Sequence, residues 1–261
     1  MPYVSLPFCD LYYEVYGSGP ALVFAHGAGG NHLTWWQQVP AFRDRYTCIT
    51  YAQRGFGPSH EREGGPSFDA LTDDLEALIS HLGLDSVALV GQSMGGWPVL
   101  GYALRHPGRV RGVVMSSTVG SVTEPTIDRA IQELRAAGHR ERLTGLGIQA
   151  GCGERLAREQ PAMHFLYGQI SALPSHPTGP ALLSRLHALR VTPSAALAAL
   201  TMPFLLITGE EDIVMPPSAV ARLSELLPNA RLFRAPETGH SVYWERPATF
   251  NREVGAFLDS L

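Results

Sequence analysis

The chain has 261 residues, of which 45% are hydrophobic and 17% charged, a composition typical of a globular protein rather than of a disordered chain. Its formal net charge of −4 gives no electrostatic reason to expect nucleic acid or an anionic membrane as a partner. All 20 basic residues are arginines, and the lack of lysine excludes Schiff-base catalysis, Ser–Lys dyads and a phosphate-loop lysine.

The start of the chain and its cysteines bear on where the protein works. The first 17 residues have neither a basic start nor an apolar core, so no export signal is predicted. No apolar run approaches the roughly 20 residues that cross a bilayer. Cys9, Cys48 and Cys152 are too few and too far apart for a disulfide framework or a zinc cluster. We therefore expect a soluble, cytoplasmic protein without a disulfide framework or a zinc cluster.

Apolar segments predict strands that alternate with helices. Residues 11–16 alternate in polarity and end at a glycine-rich turn, as an antiparallel strand would. Short apolar runs of the kind seen in buried parallel strands follow, and the pattern predicts strands at 21–26, 46–51, 86–91, 111–117, 203–209 and 231–236. Helical spacing favours helices at 67–82 and 246–260. This alternation predicts an α/β fold with a mainly parallel central sheet flanked by helices.

The alternation stops between residues 121 and 200, a segment called the insertion below. It contains no convincing strand, and it predicts helices at 127–138, 154–160 and 181–190. We therefore expect a core domain made of residues 1–120 and 201–261. Residues 121–200 are expected to form a helical cap over the carboxyl edge of the sheet.

A candidate nucleophile lies between a predicted strand and a predicted helix. Gly91-Gln92-Ser93-Met94-Gly95-Gly96 follows the strand at 86–91, which is the setting that a G-x-S-x-G nucleophile elbow requires. The serine of such an elbow stands on a strained turn, so its neighbours must be small enough for strand and helix to approach closely. The pattern therefore indicates that Ser93 is a nucleophile.

A second glycine-rich loop, His26-Gly27-Ala28-Gly29-Gly30, ends an earlier strand. Such a loop exposes backbone N–H groups, which can stabilise a developing oxyanion. We expect the donors to be the N–H groups of Ala28 and of Met94, the residue after the nucleophile. His26 is interpreted as a structural hydrogen-bonding residue rather than as a catalytic one.

Acid and base candidates follow the last two predicted strands. Glu210, Glu211 and Asp212 come after the strand at 203–209, and His240 comes after the strand at 231–236. The order Ser93, Asp212, His240 is the order of α/β-hydrolases. Asp212 is preferred because the two glutamates come too early after the strand to turn back toward a histidine, and residues 112–123 offer no carboxylate.

From about residue 11 to 260 the chain resembles the α/β-hydrolase superfamily. The matching segments are HGAGG at 26–30, RGFGPS at 54–59, GQSMGG at 91–96, GEED at 209–212 and GHSVYWERP at 239–247. The resemblance implies Ser93 as nucleophile, Asp212 as acid, His240 as base and the N–H groups of Ala28 and Met94 as the oxyanion hole. It also implies that the insertion is a helical cap.

Two positions depart from the pattern of the family. Ala52 stands where many members have Asp, so Arg54 lacks a possible local partner and is interpreted as structural. Pro98 lies in the first turns of the helix after Ser93 and cannot donate a backbone hydrogen bond. We therefore expect the start of that helix to be bent or widened.

These residues predict a cofactor-free serine esterase or lactonase, that is, a carboxylic ester hydrolase that works through an acyl-enzyme. Hydrolysis of a carbon–carbon bond in a β-diketone or ring-cleavage product is the nearest rival, although Ser241 stands where such enzymes often carry Trp. Perhydrolases and haloperoxidases of this fold usually have Trp where this chain has Ala28. A non-catalytic ligand receptor of the same fold remains open as well.

Three segments are expected to meet above Ser93 and to line the substrate pocket. Their candidate lining residues are Trp35, Trp36, Phe165, Tyr167, Val214 and Met215. These side chains predict a mostly apolar pocket with aromatic walls, and hence a small, neutral, hydrophobic substrate. An arginine such as Arg54, Arg185 or Arg190 in the lining would contradict this prediction.

Overall fold

A computed structural model describes residues 2–62, 68–173, 185–186 and 188–261. The described part of the chain contains eleven strands, and helices connect most of the parallel ones. The strands are β1 Tyr3–Leu6, β2 Cys9–Tyr16, β3 Ala21–Ala25, β4 Thr47–Tyr51, β5 His60–Glu61, β6 Val87–Gln92, β7 Val110–Ser116, β8 Val122–Thr123, β9 Thr192–Pro193, β10 Phe204–Gly209 and β11 Ala230–Ala235.

The helices flank these strands or follow one another within the insertion. They are α1 Val39–Phe42, α2 Phe68–His81, α3 Gly96–Arg105, α4 Pro125–Ala136, α5 His139–Gly145, α6 Gly153–Glu159, α7 Pro161–Ser171, α8 Pro217–Leu226, α9 Val242–Glu245 and α10 Pro247–Leu258. None of the helices in the described ranges combines the length and the apolar character needed to span a bilayer.

One sheet organises the molecule, with the strand order β1-β2-β4-β3-β6-β7-β10-β11 and with β5 paired to β2. The strands from β4 to β11 in this order run parallel, while β2 is antiparallel to both β1 and β4. The predicted α/β fold with a mainly parallel sheet is therefore confirmed. Strands β1 and β5 of this sheet were not predicted.

Both faces of the sheet are covered, as the continuous apolar runs predict. Successive residues of β3 show this, because Val23 packs into one buried cluster with α2 and α3, while Phe24 packs into the opposite cluster with α10. Strands β3, β6 and β10 all run in the same direction, so their carboxyl ends at Ala25, Gln92 and Gly209 meet at one edge of the sheet.

The insertion is mainly helical where the structure describes it, with α4 to α7 between residues 125 and 171. The prediction that it contains no strand is wrong, because β8 and β9 pair in parallel. Two-residue strands are too short to show a hydrophobic alternation, which explains why the pattern missed them. The predicted helix at 181–190 lies largely outside the described residues.

Candidate active site

Ser93 stands on a sharp turn directly after β6. Its φ angle is +50°, a left-handed conformation that few residues other than glycine adopt. A short 3₁₀ turn over Ser93–Gly95 connects it to α3. A Cβ atom at Gly95 would lie 2.1 Å from the carbonyl oxygen of Ala25, and one at Gly91 would lie 2.6 Å from that of Gly95. The two glycines thus allow the close backbone contact that a nucleophile elbow needs.

Pro98 is the third residue of α3, which continues directly from the 3₁₀ turn over Ser93–Gly95. A 3₁₀ turn is tighter than an α-helix, so the helix does not begin with a widened turn. A bend at Pro98 stays a prediction.

His240 and Asp212 are joined by a buried hydrogen bond of 2.8 Å between Nδ1 and Oδ2. The other carboxylate oxygen, Oδ1, accepts hydrogen bonds from the N–H groups of Val214 at 2.8 Å and of Met215 at 2.9 Å. Both oxygens of Asp212 therefore have partners. The carboxylate is held in one orientation, and it holds the histidine ring through Nδ1.

The two neighbouring glutamates lie elsewhere. Glu210 is exposed, and Glu211 is exposed and binds Arg155 of the insertion at 2.5 and 3.1 Å. Of the three carboxylates after β10, only Asp212 contacts His240, as the order of residues along the chain led us to expect.

Ser93 and His240 line the same cavity, whose volume is about 290 Å³. The described residues around it come from the two glycine-rich loops, from the insertion and from the loop after β10. They are Ala28, Gly29, Gln92, Ser93, Arg140, Thr144, Gly147, Ile148, Gln149, Ala150, Gly151, Tyr167, Ser171, Val214 and His240.

The two expected oxyanion donors lie beside the serine. Ala28 lines the cavity, and a Cβ atom at the preceding Gly27 would lie 3.0 Å from the Cβ of Ser93. The loop after β3 therefore passes close to the serine. Met94 follows Ser93 directly, and its side chain is buried in a small cluster with Phe56 and Trp97. The role of the two N–H groups stays a prediction.

His26 and Arg54 have structural contacts. The Nε2 of His26 accepts the N–H of Gln53 at 2.9 Å, its Nδ1 lies 2.7 Å from the carbonyl oxygen of Gly27, and burial lowers its pKa to about 4. Arg54 is buried against Asp74 of α2, with two hydrogen bonds of 2.6 and 3.0 Å. Asp74 thus replaces the local partner that Ala52 cannot supply.

The predicted pocket residues are only partly correct. Tyr167 and Val214 line the cavity, whereas Trp35, Trp36, Phe165 and Met215 do not. The side chain of Trp35 is fully buried between Phe24 and Tyr243. Met215 is buried too, while Trp36 and Phe165 are 45% and 66% exposed.

The prediction of a mostly apolar pocket is also wrong. Polar side chains form a large part of the described lining, among them Gln92, Thr144, Gln149 and Ser171, together with Arg140. Arg140 was not predicted because it belongs to the short polar helix α5, whose sequence looks like that of any solvent-facing helix. Arg54, Arg185 and Arg190 are absent from the described lining.

Glu245 holds the loop around His240, a role that the sequence pattern did not predict. Its carboxylate accepts the N–H of Gly239 at 2.9 Å and that of Ser241 at 3.1 Å, one on each side of the histidine. Glu245 is buried, and burial raises its pKa to about 7. Its position at the end of a four-residue helix gives no sign of burial.

The insertion packs directly on this loop. The hydroxyl group of Ser241 donates to the carbonyl oxygen of Gly151, and it lies 3.2 Å from the hydroxyl group of Tyr167. A Cβ atom at Gly153 would lie 3.3 Å from the Cα of Gly239. The described residues contain no group of three or more potential ligands that could hold a metal ion.

Comparison with known proteins agrees with this architecture. The sequence profile of the alpha/beta hydrolase fold family matches residues 20–145 and 150–247, which together form most of the chain. The chain belongs to this family. In this α/β-hydrolase, the matched ranges include the turn that carries Ser93, the loop that carries Asp212 and the loop that carries His240.

The relatives of this α/β-hydrolase carry different activities in their names. "Putative carbamate hydrolase RutD" of Caulobacter sp. strain K31 is 30% identical over 95% of each chain. A thermophilic esterase from Thermogutta terrifontis has a TM-score of 0.80 and 25% identity, covering 99% of this chain and 96% of its own. A bromoperoxidase from Bacillus anthracis has a TM-score of 0.76 and 28% identity over 96% of each chain.

Proposed function

We propose that this α/β-hydrolase cleaves a carboxylic ester or a lactone of a small substrate through an acyl-enzyme on Ser93. The observation that carries the proposal is the buried hydrogen bond between Asp212 and His240, next to a cavity that both His240 and Ser93 line. The esterase among the similar structures supports this choice of reaction. The described residues of the insertion that line the cavity, between Arg140 and Ser171, act as part of its cap.

The proposed mechanism assigns one task to each side chain. Since Nδ1 of His240 binds Asp212, Nε2 is the ring nitrogen left to accept the proton of Ser93. The serine oxygen then attacks the carbonyl carbon, and the N–H groups of Ala28 and Met94 stabilise the negative oxygen that forms. Asp212 keeps the ring in the required tautomer and stabilises its positive charge.

The second half of the reaction regenerates the enzyme. The protonated His240 gives its proton to the leaving alcohol oxygen as the ester bond breaks, which leaves the acyl group on Ser93. A water molecule then attacks the acyl carbon while His240 accepts its proton, and the proton returns to Ser93 as the acid leaves. For a lactone the alcohol stays attached to the acyl group, so the product is a single hydroxy acid.

Carbamate hydrolysis is a second candidate, and the name of the relative from Caulobacter favours it. A carbamate also has a carbonyl carbon bonded to a leaving group, so the same residues could act on it. The polar side chains in the cavity, such as Gln92 and Gln149, suit a polar substrate of this kind better than a long alkyl chain.

Turnover of a substrate panel tests the proposal. The panel contains short esters, lactones, carbamates, β-diketones and, for peroxidase activity, bromide with peroxide. We expect hydrolysis of esters or lactones, and a loss of about four to six powers of ten in kcat for the Ser93→Ala variant. Preferred cleavage of a β-diketone would indicate a carbon–carbon hydrolase. No turnover at all, or equal turnover by Ser93→Ala, would contradict the proposal.

A further inference from the structure

The cavity above Ser93 has one charged side chain on the side of the insertion. Arg140 is the single arginine among the described lining residues, and no aspartate or glutamate is found among them. A guanidinium group keeps its charge at any physiological pH. The described walls of the cavity therefore contribute a positive charge and no negative one.

Arg140 is available to bind a ligand. The nearby Arg142 is neutralised by Glu154 at 2.5 Å, whereas no acidic side chain of the described chain pairs with Arg140. The charge of Arg140 also affects Arg135. Burial lowers the pKa of Arg135 most, and the neighbouring charges of Arg140 and then Arg190 lower it further. An excess of positive charge beside a cleft attracts anions.

The size of the cavity limits the ligand. A volume of about 290 Å³ is at the small end of ligand pockets, so a molecule that reaches Ser93 is also close to the wall that carries Arg140. Arginine presents a planar set of donors that matches a carboxylate. Gln149 and Thr144, which belong to the insertion like Arg140, line the same cavity and add polar groups to it.

We infer that the substrate carries an anionic group, a carboxylate in its simplest form, which Arg140 binds while the carbonyl carbon lies at Ser93. The inference rests on the proposed function, because it names the substrate class of the same site. It replaces the neutral, hydrophobic substrate that the sequence predicted.

A matched pair of esters tests the inference. Monomethyl glutarate carries a carboxylate, and methyl hexanoate has an ethyl group in its place. We expect the parent protein to prefer monomethyl glutarate in kcat/KM, measured by release of methanol. Arg140→Gln should lower kcat/KM for the anionic ester about tenfold to a hundredfold, mainly by raising KM. It should change kcat/KM for the neutral ester by less than about threefold.

Arg129→Gln is the matched control, because Arg129 is an exposed residue of α4 that does not line the cavity. This variant also removes one positive charge from the insertion, and it should leave kcat/KM unchanged for both esters. If Arg129→Gln and Arg140→Gln have the same effect, only the overall charge matters and the inference is wrong. The inference is also wrong if Arg140→Gln lowers kcat/KM equally for both esters, or if the parent protein has the higher kcat/KM for the neutral ester.

Binding to the Ser93→Ala variant separates the inference from the proposed function, because this variant cannot consume an ester by acyl transfer. By titration calorimetry, monomethyl glutarate should bind more tightly than methyl hexanoate, and the double variant with Arg140→Gln should lose this preference. If this holds while the parent hydrolyses no ester, the proposed function fails and the anion site stands. If the parent hydrolyses esters without any such preference in binding, the anion site fails alone.

Discussion

The loop that carries Ser93 and the loop that carries His240 both rest on close backbone contacts, but the second is also held by a buried carboxylate. A Cβ atom at Gly95 would lie 2.1 Å from the carbonyl oxygen of Ala25, and one at Gly209 would lie 2.0 Å from that of Gly239. Around His240 the carboxylate of Glu245 also accepts the N–H groups on both sides of the histidine.

The difference has physical consequences. A loop held by steric contacts does not respond to pH, and it fails when a single methyl group is added. A loop held by a buried carboxylate depends on the protonation of that carboxylate, and it tolerates partial loss of its hydrogen bonds. The two loops should therefore respond differently to substitution and to pH.

The largest effect is expected for Gly95→Ala. The added methyl group would collide with the backbone at the end of β3, which cannot move without disturbing the sheet. We expect a loss of at least about 3 kcal/mol in the free energy of unfolding, measured by urea denaturation. Gly108→Ala is the control, since a Cβ atom there meets nothing within 4 Å. Equal stability of the two variants would show that the contact at Gly95 relaxes easily.

Glu245→Ala should have the next largest effect. It leaves the buried N–H groups of Gly239 and Ser241 without their acceptor, at a cost of about 1 to 3 kcal/mol each before relaxation. Because His240 lies between them, we expect kcat to fall about a hundredfold with little change in KM. Glu210→Gln, at an exposed position, serves as a control. An unchanged kcat would mean that the histidine loop keeps its geometry without Glu245.

Glu245→Gln tests the effect of pH on stability. Burial raises the pKa of Glu245 to about 7 from a usual value of 4.5, the charge of Asp212 adds to the rise, and the bound N–H groups and Arg246 oppose it. Because the folded state holds the proton more tightly than the unfolded state, the stabilising contribution is largest below pH 4.5 and is lost as the pH rises to about 7.

The parent protein should therefore lose about 2 kcal/mol more stability than Glu245→Gln between pH 5 and pH 8. The measurement is urea denaturation of both proteins at several pH values, since groups that titrate in both proteins cancel in the difference. Parallel curves for the two proteins would show that Glu245 does not titrate in this range.

Ser241→Ala should have the smallest effect. It removes the hydrogen bond from the Ser241 hydroxyl to Gly151 of the insertion, but the N–H group of residue 241 still binds Glu245. We expect a loss of about 1 kcal/mol in stability and a decrease in kcat of only a few-fold. A loss as large as that of Glu245→Ala would show that the insertion, rather than Glu245, holds the histidine loop.

The fold could be predicted because buried strands leave a simple pattern in the sequence. The run PFLLITG corresponds to β10, and all six of its residues from Phe204 to Gly209 are buried. The contact between Asp212 and His240 could also be expected, since both follow strands that end at the same edge of the sheet. Their catalytic roles, and that of Ser93, remain proposals.

The pocket could not be predicted, because its described lining comes from loops and from short helical segments that are too short to show a periodicity. Trp35 and Trp36 are adjacent, yet one is fully buried and the other is 45% exposed. Arg140 lies on a short helix with a single buried apolar residue, Leu143, which is too weak a pattern to show which polar side chain faces a cavity. Glu245 becomes buried only because residues distant in the sequence, such as Gly153, pack against it.

The contact between Gly153 and the histidine loop has a consequence for redesign of this enzyme. Ala150 and Gly151 line the cavity, and Gly153, two residues after Gly151, supports the loop that carries His240. We expect a substitution at 150–153 to change both the lining of the cavity and the position of the loop that carries His240. Libraries that aim to change specificity alone should therefore vary Arg140 and Thr144, which also line the cavity, and leave 150–153 intact.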